Sequence, residues 1–143
     1  MNENSGPEKK FSISPKLTAP FSQEQLDYIQ RKREEWIERQ YEYYEFADHN
    51  AVSYELKKGE IYEIDWGMNI NAEFSGRHYG VVLVDSPANN PLVLVCPLKT
   101  HHKNKINFKS DFYVGEIKGL PLPMKTVAVL NQTRMIDKLR IYT

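Results

Sequence analysis

The stretch IYEIDWGMNINAEFSGRHYGVVLV, residues 61–84, decides the fold. In its first part, Ile61–Trp66, apolar and polar side chains nearly alternate, which is typical of a half-buried strand, and Val81–Val84 is a continuous apolar run typical of a buried strand. Two strands therefore frame one polar loop. This loop carries the densest group of reactive side chains in the sequence, which are Asn69, Asn71, Glu73, Arg77 and His78. Glycines at positions 67, 76 and 80 allow the backbone to turn or to approach a neighbour closely.

Length and charge restrict the class of protein. With 143 residues and 41% hydrophobic content, the chain is long enough for one domain with a sizeable core. The formal net charge is zero, so no overall field favours nucleic acid. However, residues 1–57 carry 8 basic and 11 acidic side chains, net −3, whereas residues 58–143 carry 11 and 8, net +3. The second part is therefore the better candidate for binding an anion.

The single cysteine, Cys96, excludes an intramolecular disulfide and a cysteine-rich zinc module. Because Cys96 lies in the apolar run Val93–Leu98, we expect a buried structural thiol and not a nucleophile. The sequence has no 18-residue apolar stretch and no signal-peptide pattern. We therefore expect a soluble, cytoplasmic protein that does not contact a membrane.

The N-terminal part predicts a tail followed by a helix. Residues 1–21 are polar and contain three prolines, so we expect a flexible tail. Ser22 is followed three places later by Gln25, which predicts a helix start, and the helix is expected over residues 22–50. An aromatic cluster in this helix fits either base stacking on single-stranded nucleic acid or docking onto the body or a partner subunit, and docking is favoured. The cluster comprises Tyr41, Tyr43, Tyr44 and Phe46.

The rest of the chain predicts more short strands. We expect strands over residues 92–98, 106–114 and 126–130, and apolar and polar residues alternate again in the closing segment. Five or six short strands separated by turns predict a mainly β fold, either a small barrel or a strongly bent sheet.

A basic segment, KTHHKNK, spans Lys99–Lys105. With Lys109 it contains four lysines, two histidines and no acid, and it fits an anion-binding site and an ordinary exposed polar loop equally well. His101 and His102 are poor metal ligands, because adjacent side chains diverge and nothing nearby completes a site. We therefore expect no metal and no cofactor.

Residues 58–143 resemble the PemK/MazF family of toxin endoribonucleases. Four pieces, in order, carry the resemblance: KGEIYEID at 58–65, the stretch 71–83, the strand end 95–100, and VAVLNQTRMID at 127–137. The resemblance implies an SH3-like barrel that forms homodimers and cuts single-stranded RNA at short sequences. It also implies that cleavage needs no metal, that the RNA 2′-hydroxyl attacks the adjacent phosphate, and that an antitoxin protein silences the enzyme. The domain implied is residues 58–143.

The resemblance also implies the site residues. The catalytic candidates are Glu73, Arg77, His78, Lys99 and Thr100. The candidates for RNA binding are Asn71, His101, Lys103, Gln132 and Arg134. Histidine is suited to proton transfer near neutral pH, whereas arginine and lysine are suited to holding a phosphate.

Two departures from the family pattern leave alternatives open. The family's Arg-Pro pair falls on His78-Tyr79, so its catalytic arginine is either replaced by His78 or shifted to Arg77. The family's threonine falls on Lys99, with Thr100 next to it. In a strand, only one of two neighbouring side chains faces a given groove.

Structural roles compete with these catalytic ones. Arg77 is a candidate for a scaffold ion pair with Glu73 or Asp137, Glu73 for capping the loop, and Arg134 with Asp137 for holding a dimer. At the level of function, the alternatives to a ribonuclease are a catalytically inactive barrel that binds RNA or a partner protein, and a toxin-like fold with another target.

Overall fold

A computed structural model describes residues 21–49, 54–69, 73–100, 110–120 and 125–142. The predicted tail therefore lies outside the described residues, apart from Phe21, as do Asn71, His101, His102 and Lys103. Apart from short 3₁₀ turns, these described residues form one helix and seven strands: α1 (Gln23–His49), β1 (Ile61–Asp65), β2 (Arg77–Val82), β3 (Leu92–Thr100), β4 (Asp111–Gly115), β5 (Thr126–Val129), β6 (Arg134–Asp137) and β7 (Ile141–Tyr142).

The strands form one antiparallel sheet in the order β4-β5-β3-β2-β1-β7, and β6 pairs with the first half of β3. The prediction of a mainly β fold with a long N-terminal helix is confirmed, and among the described strands the ladders bend around the core without joining into a ring. The strand number was predicted too low, because the closing segment forms two strands, with a short 3₁₀ turn at Lys138–Arg140 between them. Residues 106–109 of the predicted fourth strand lie outside the described residues.

Strand β2 begins earlier than the sequence predicted. Arg77 and His78 were placed in a loop, yet both lie in β2, where they pair with Asp65 and Ile64 of β1. Of the apolar run at 81–84, Val81 and Val82 are the end of this strand, and Leu83 and Val84 follow it. The loop itself is closed at its neck, because Trp66 N donates to Gly76 O and Gly76 N donates to Gly67 O, each at 2.8 Å.

Two apolar clusters lie on opposite faces of the sheet. The larger cluster contains Trp66 and Ile64, both fully buried, together with Leu56, Val82, Val93, Val95, Ile136 and Ile141. The smaller contains Cys96, Leu98 and Ala128, which confirms the expected buried thiol. Gly80 allows the close packing of the larger cluster, because a Cβ there would lie 2.6 Å from Ile64 Cδ1. Period-two alternation along β3 thus supplies both clusters.

Helix α1 begins where the sequence predicted. Ser22 N donates to Gln25 Oε1 at 2.9 Å and Gln25 N donates to Ser22 Oγ at 3.2 Å, which is a reciprocal capping box. The first half of the helix is exposed, including Leu26 and Tyr28. Within the described parts of the chain, no helix is both long enough and apolar enough to span a membrane.

The second half of α1 docks onto the end of β1. The buried carboxylate of Asp65 accepts from Arg39 Nε at 3.0 Å and from Tyr43 Oη at 2.7 Å. The Trp36 ring lies 5.3 Å from the guanidinium carbons of both Arg39 and Arg140. Docking is therefore confirmed for Tyr43, whereas Tyr41 and Tyr44 are exposed.

We expect Trp36→Ala to loosen the second half of the helix. The substitution removes the ring that Arg39 and Arg140 contact and that lies against Gly67, at a cost of about 1–3 kcal/mol. An undocked helix is marginal in water, so hydrogen exchange at residues 36–47 should accelerate while strands β2 and β3 keep their protection. Tyr41→Ala, at a 69% exposed position, is the control. Equal exchange in the two variants would contradict this account of docking.

Candidate active site

A furrow opens where β2 and β3 separate. The ladder between them runs from Val82–Val95 to Gly80–Pro97, and beyond it β3 pairs with β5 through Leu98, Lys99 and Thr100. Pro97 has no backbone N–H, so it supplies no donor at the residue where β3 changes partner. Past this point, the start of β2 and the end of β3 stand apart. We call the resulting cavity of about 430 Å³ the furrow; it is lined by Glu63, Arg77, His78, Tyr79, Leu98, Lys99, Thr100, Leu120 and Thr126.

Arg77 is held on one side of the furrow by an acidic partner. Its Nε and Nη2 donate to the two carboxylate oxygens of Glu63, the second at 2.9 Å, and the hydrogen bond lowers the pKa of the Glu63 carboxyl. The expected alternatives, Glu73 and Asp137, are not this partner. Glu63 takes the role because the β1–β2 register places it diagonally across from Arg77 on the same face.

His78 borders the same furrow from the opposite face of β2. Its exposed ring lies edge-on to the ring of Phe74, with centroids 4.9 Å apart. Its backbone carbonyl accepts from Trp66 Nε1 at 3.2 Å, which fixes the strand beneath it. Arg77 and His78 both line the furrow, although their side chains lie on opposite faces of β2.

The end of β3 supplies Lys99 and Thr100 to the opposite wall. The Lys99 amine lies 3.3 Å from a carboxylate oxygen of Asp111, whose side chain is only 2% exposed. Thr100 is paired with Thr126 of β5. Both cations of the furrow thus have a carboxylate beside them.

Glu73 does not line the furrow, which corrects the expected grouping of five catalytic candidates. Glu73 instead lines a second open pocket of about 570 Å³, together with Asn69, Phe74, Asn131, Gln132, Thr133 and Arg134. Gln132 and Arg134, the two described candidates for RNA binding, therefore share this pocket with Glu73. Phe74 joins the two cavities, because it lines the second and contacts His78 of the first.

The sequence did not point to Glu63, Tyr142 or Asp111 at this site. Each contacts a predicted site residue: Glu63 and Tyr142 contact Arg77, and Asp111 contacts Lys99. Glu63 occupied a polar position of an alternating strand, but only the register between strands identifies its neighbour. Among the described residues, no group of three or more His, Cys, Asp or Glu side chains has a geometry that could hold a metal ion.

The β-rich part of the chain matches a known protein family. The family model described as PemK-like, MazF-like toxin of type II toxin-antitoxin system matches residues 57–143, which is more than half of the chain. The match covers β1 to β7 and leaves out helix α1. A comparison with curated proteins gives no match.

Gln132 is expected to hold the loop between β1 and β2. Its Oε1 accepts from Phe74 N at 2.6 Å, so Gln132→Ala leaves that N–H without its partner, at a cost of about 1 kcal/mol. Hydrogen exchange at the Gly76 amide should accelerate about fivefold, because the loop neck opens more often. Asn131→Ala, at the exposed neighbouring position, should leave this exchange unchanged. Unchanged Gly76 exchange in the Gln132 variant would contradict the assignment.

Proposed function

Because this chain belongs to the family of PemK-like, MazF-like toxins of type II toxin–antitoxin systems, whose members are endoribonucleases, we propose that it cuts single-stranded RNA at short sequences without a metal ion. In the reaction, the 2′-hydroxyl of one nucleotide loses its proton and attacks the adjacent phosphate. The 5′-oxygen of the next nucleotide leaves and gains a proton. The products are a 2′,3′-cyclic phosphate and a free 5′-hydroxyl.

The observation that carries this proposal is the composition of the furrow. One cavity of about 430 Å³ is lined by Arg77, His78, Lys99 and Thr100, whose side chains carry a guanidinium, an imidazole, an ammonium and a hydroxyl. These are the groups that this reaction needs, since a proton must be moved and a crowded, negatively charged phosphorane must be stabilised.

Each residue has a role in the proposal. His78, whose side chain is exposed, transfers the proton as base or acid. Arg77 binds the phosphate with the N–H groups that Glu63 does not occupy, and Lys99 and Thr100 donate from the opposite wall. Glu73, Gln132 and Arg134 in the adjoining pocket contact nucleotides beside the cut. Because Glu73 does not line the furrow, it is not the base in this scheme.

The family pairs such a toxin with an antitoxin. We extend the proposal to a cytoplasmic homodimer whose RNA-binding surface the antitoxin covers. Exposed apolar side chains of β3 and β6, namely Leu92 and Met135, support an interface on that part of the sheet.

A catalytically inactive, binding-only barrel is the second candidate. One observation favours it: Arg77 and Lys99 are each accompanied by a carboxylate, so the positive charge available to a phosphate is reduced.

The decisive assay is cleavage of single-stranded RNA in EDTA. We expect the wild-type chain to cut, and the cut to disappear when the nucleotide on its 5′ side carries a 2′-deoxy sugar. His78→Ala should lose about two to four decades of rate, because the proton-transfer group is gone. Lys118→Ala, an exposed lysine outside the furrow, is the matched control.

RNA that stays intact across many sequences would favour the binding-only barrel. Continued cutting at the 2′-deoxy site would reject the mechanism.

A further inference from the structure

The guanidinium of Arg77 is held on two sides. Glu63 accepts from it in its plane, through Nε and Nη2, and Tyr142 lies against its face, with the guanidinium carbon 4.0 Å from the ring centroid. The Arg77 side chain is nevertheless 56% exposed. An exposed arginine normally samples many rotamers. The two contacts that restrict Arg77 beside the furrow therefore need an explanation.

The three residues come together through strand register. Glu63 in β1 is paired with Tyr142 in β7 and with Tyr79 in β2, so their side chains share one face of the sheet. Arg77 lies two residues before Tyr79, hence on the same face. The arrangement depends on three adjacent strands and on no loop.

The contacts leave one edge of the guanidinium available. Arginine has five N–H donors, of which Glu63 takes one on Nε and one on Nη2. Three donors remain on Nη1 and Nη2, and these form the edge that suits two oxygens of one phosphate. Tyr142 fixes the plane in which this edge lies, through a stacked cation–π contact.

We propose that Glu63 and Tyr142 are positioning residues that orient the guanidinium of Arg77 toward a phosphate of RNA in the furrow. The inference rests on the proposed function. Pre-orientation removes most of the conformational entropy that Arg77 would lose on engaging the phosphate. Glu63 has an opposing effect as well, because its charge repels the same phosphate.

Glu63 thus both orients the guanidinium and repels the phosphate. Its replacement should therefore change KM and kcat differently, which a loss of fold would not do. In Glu63→Gln the repulsion is gone, so KM for RNA should fall or stay constant. The guanidinium is less well oriented, so kcat should fall about 10- to 100-fold. Tyr142→Ala should lower kcat similarly, whereas Tyr142→Phe keeps the ring and should retain kcat within about twofold.

The test uses the full chain with an RNA that the wild type cuts, and every variant is first checked for a cooperative thermal transition. Tyr113→Ala is the matched tyrosine control, since Tyr113 is another strand tyrosine of similar exposure, 43% against 37% for Tyr142. Glu55→Gln, at an exposed position, is the matched glutamate control. If Glu63→Gln fails to fold, the positioning role is tested by comparing kcat of Tyr142→Ala with kcat of Tyr142→Phe.

A second readout does not depend on cleavage. Titration with inorganic phosphate, followed at the Arg77 side-chain Nε–H resonance by NMR, should shift that resonance in the wild type. The apparent phosphate affinity should be at least about threefold weaker in Tyr142→Ala than in Tyr142→Phe. Absence of a shift in the wild type, or equal affinity in both variants, would overturn the inference.

The outcomes separate the two proposals. If Arg77→Ala cuts RNA as well as the wild type, the role of Arg77 in the proposed function fails, and the inference fails with it. If Arg77→Ala is inactive but Glu63→Gln and Tyr142→Ala keep the wild-type kcat, only the positioning inference fails. If the wild type cuts no RNA, the proposed function fails and the phosphate titration alone decides on positioning.

Discussion

The change of partner along β3 is the constraint on which the fold and the furrow both depend. Its first residues pair with β6 and β2, and its last three pair with β5. Because one nine-residue strand serves three neighbours, it contributes to both apolar clusters, through Val95 on one face and Leu98 on the other. The same change prevents β2 and β3 from staying paired past Pro97. The gap that becomes the furrow is therefore a consequence of how the core is built.

The buried carboxylate of Asp65 links the helix to this architecture. It accepts from Arg39, Tyr43 and the backbone N–H of Gly67, so three donors compensate a charge that would otherwise be costly to bury. Two of these donors, Arg39 and Tyr43, belong to α1, so the carboxylate constrains the orientation of the helix on β1. Asp65 is also the strand partner of Arg77, so the docked helix and the furrow share the end of the β1–β2 ladder.

Local sequence patterns predicted the features that depend on neighbouring residues. They did not predict the features that depend on pairing between distant segments. The capping box at Ser22 and the alternation in β1 need only neighbouring residues, and both were predicted from sequence. Arg77 and His78 were assigned to a loop because polar residues beside glycine resemble a turn, whereas cross-strand hydrogen bonds place them in β2. The burial of Lys138 is the clearest feature that could not be predicted from sequence. Lys138 is 1% exposed, and its amine donates to carbonyls of Tyr54 and Pro87, distant segments that no pattern around Lys138 identifies.

The carboxylates beside Arg77 and Lys99 determine how strongly the furrow would attract a phosphate. A bound RNA phosphodiester carries one negative charge, and Arg77 already shares its own charge with Glu63. Ground-state attraction is therefore modest. As the 2′-oxygen attacks, the phosphorane gains additional negative charge, and the remaining Arg77 donors interact with it more strongly than with the diester. Stabilisation that grows along the reaction raises kcat, whereas uniform binding would not. On this argument, the carboxylate beside the arginine is compatible with catalysis as long as it leaves the Nη edge free.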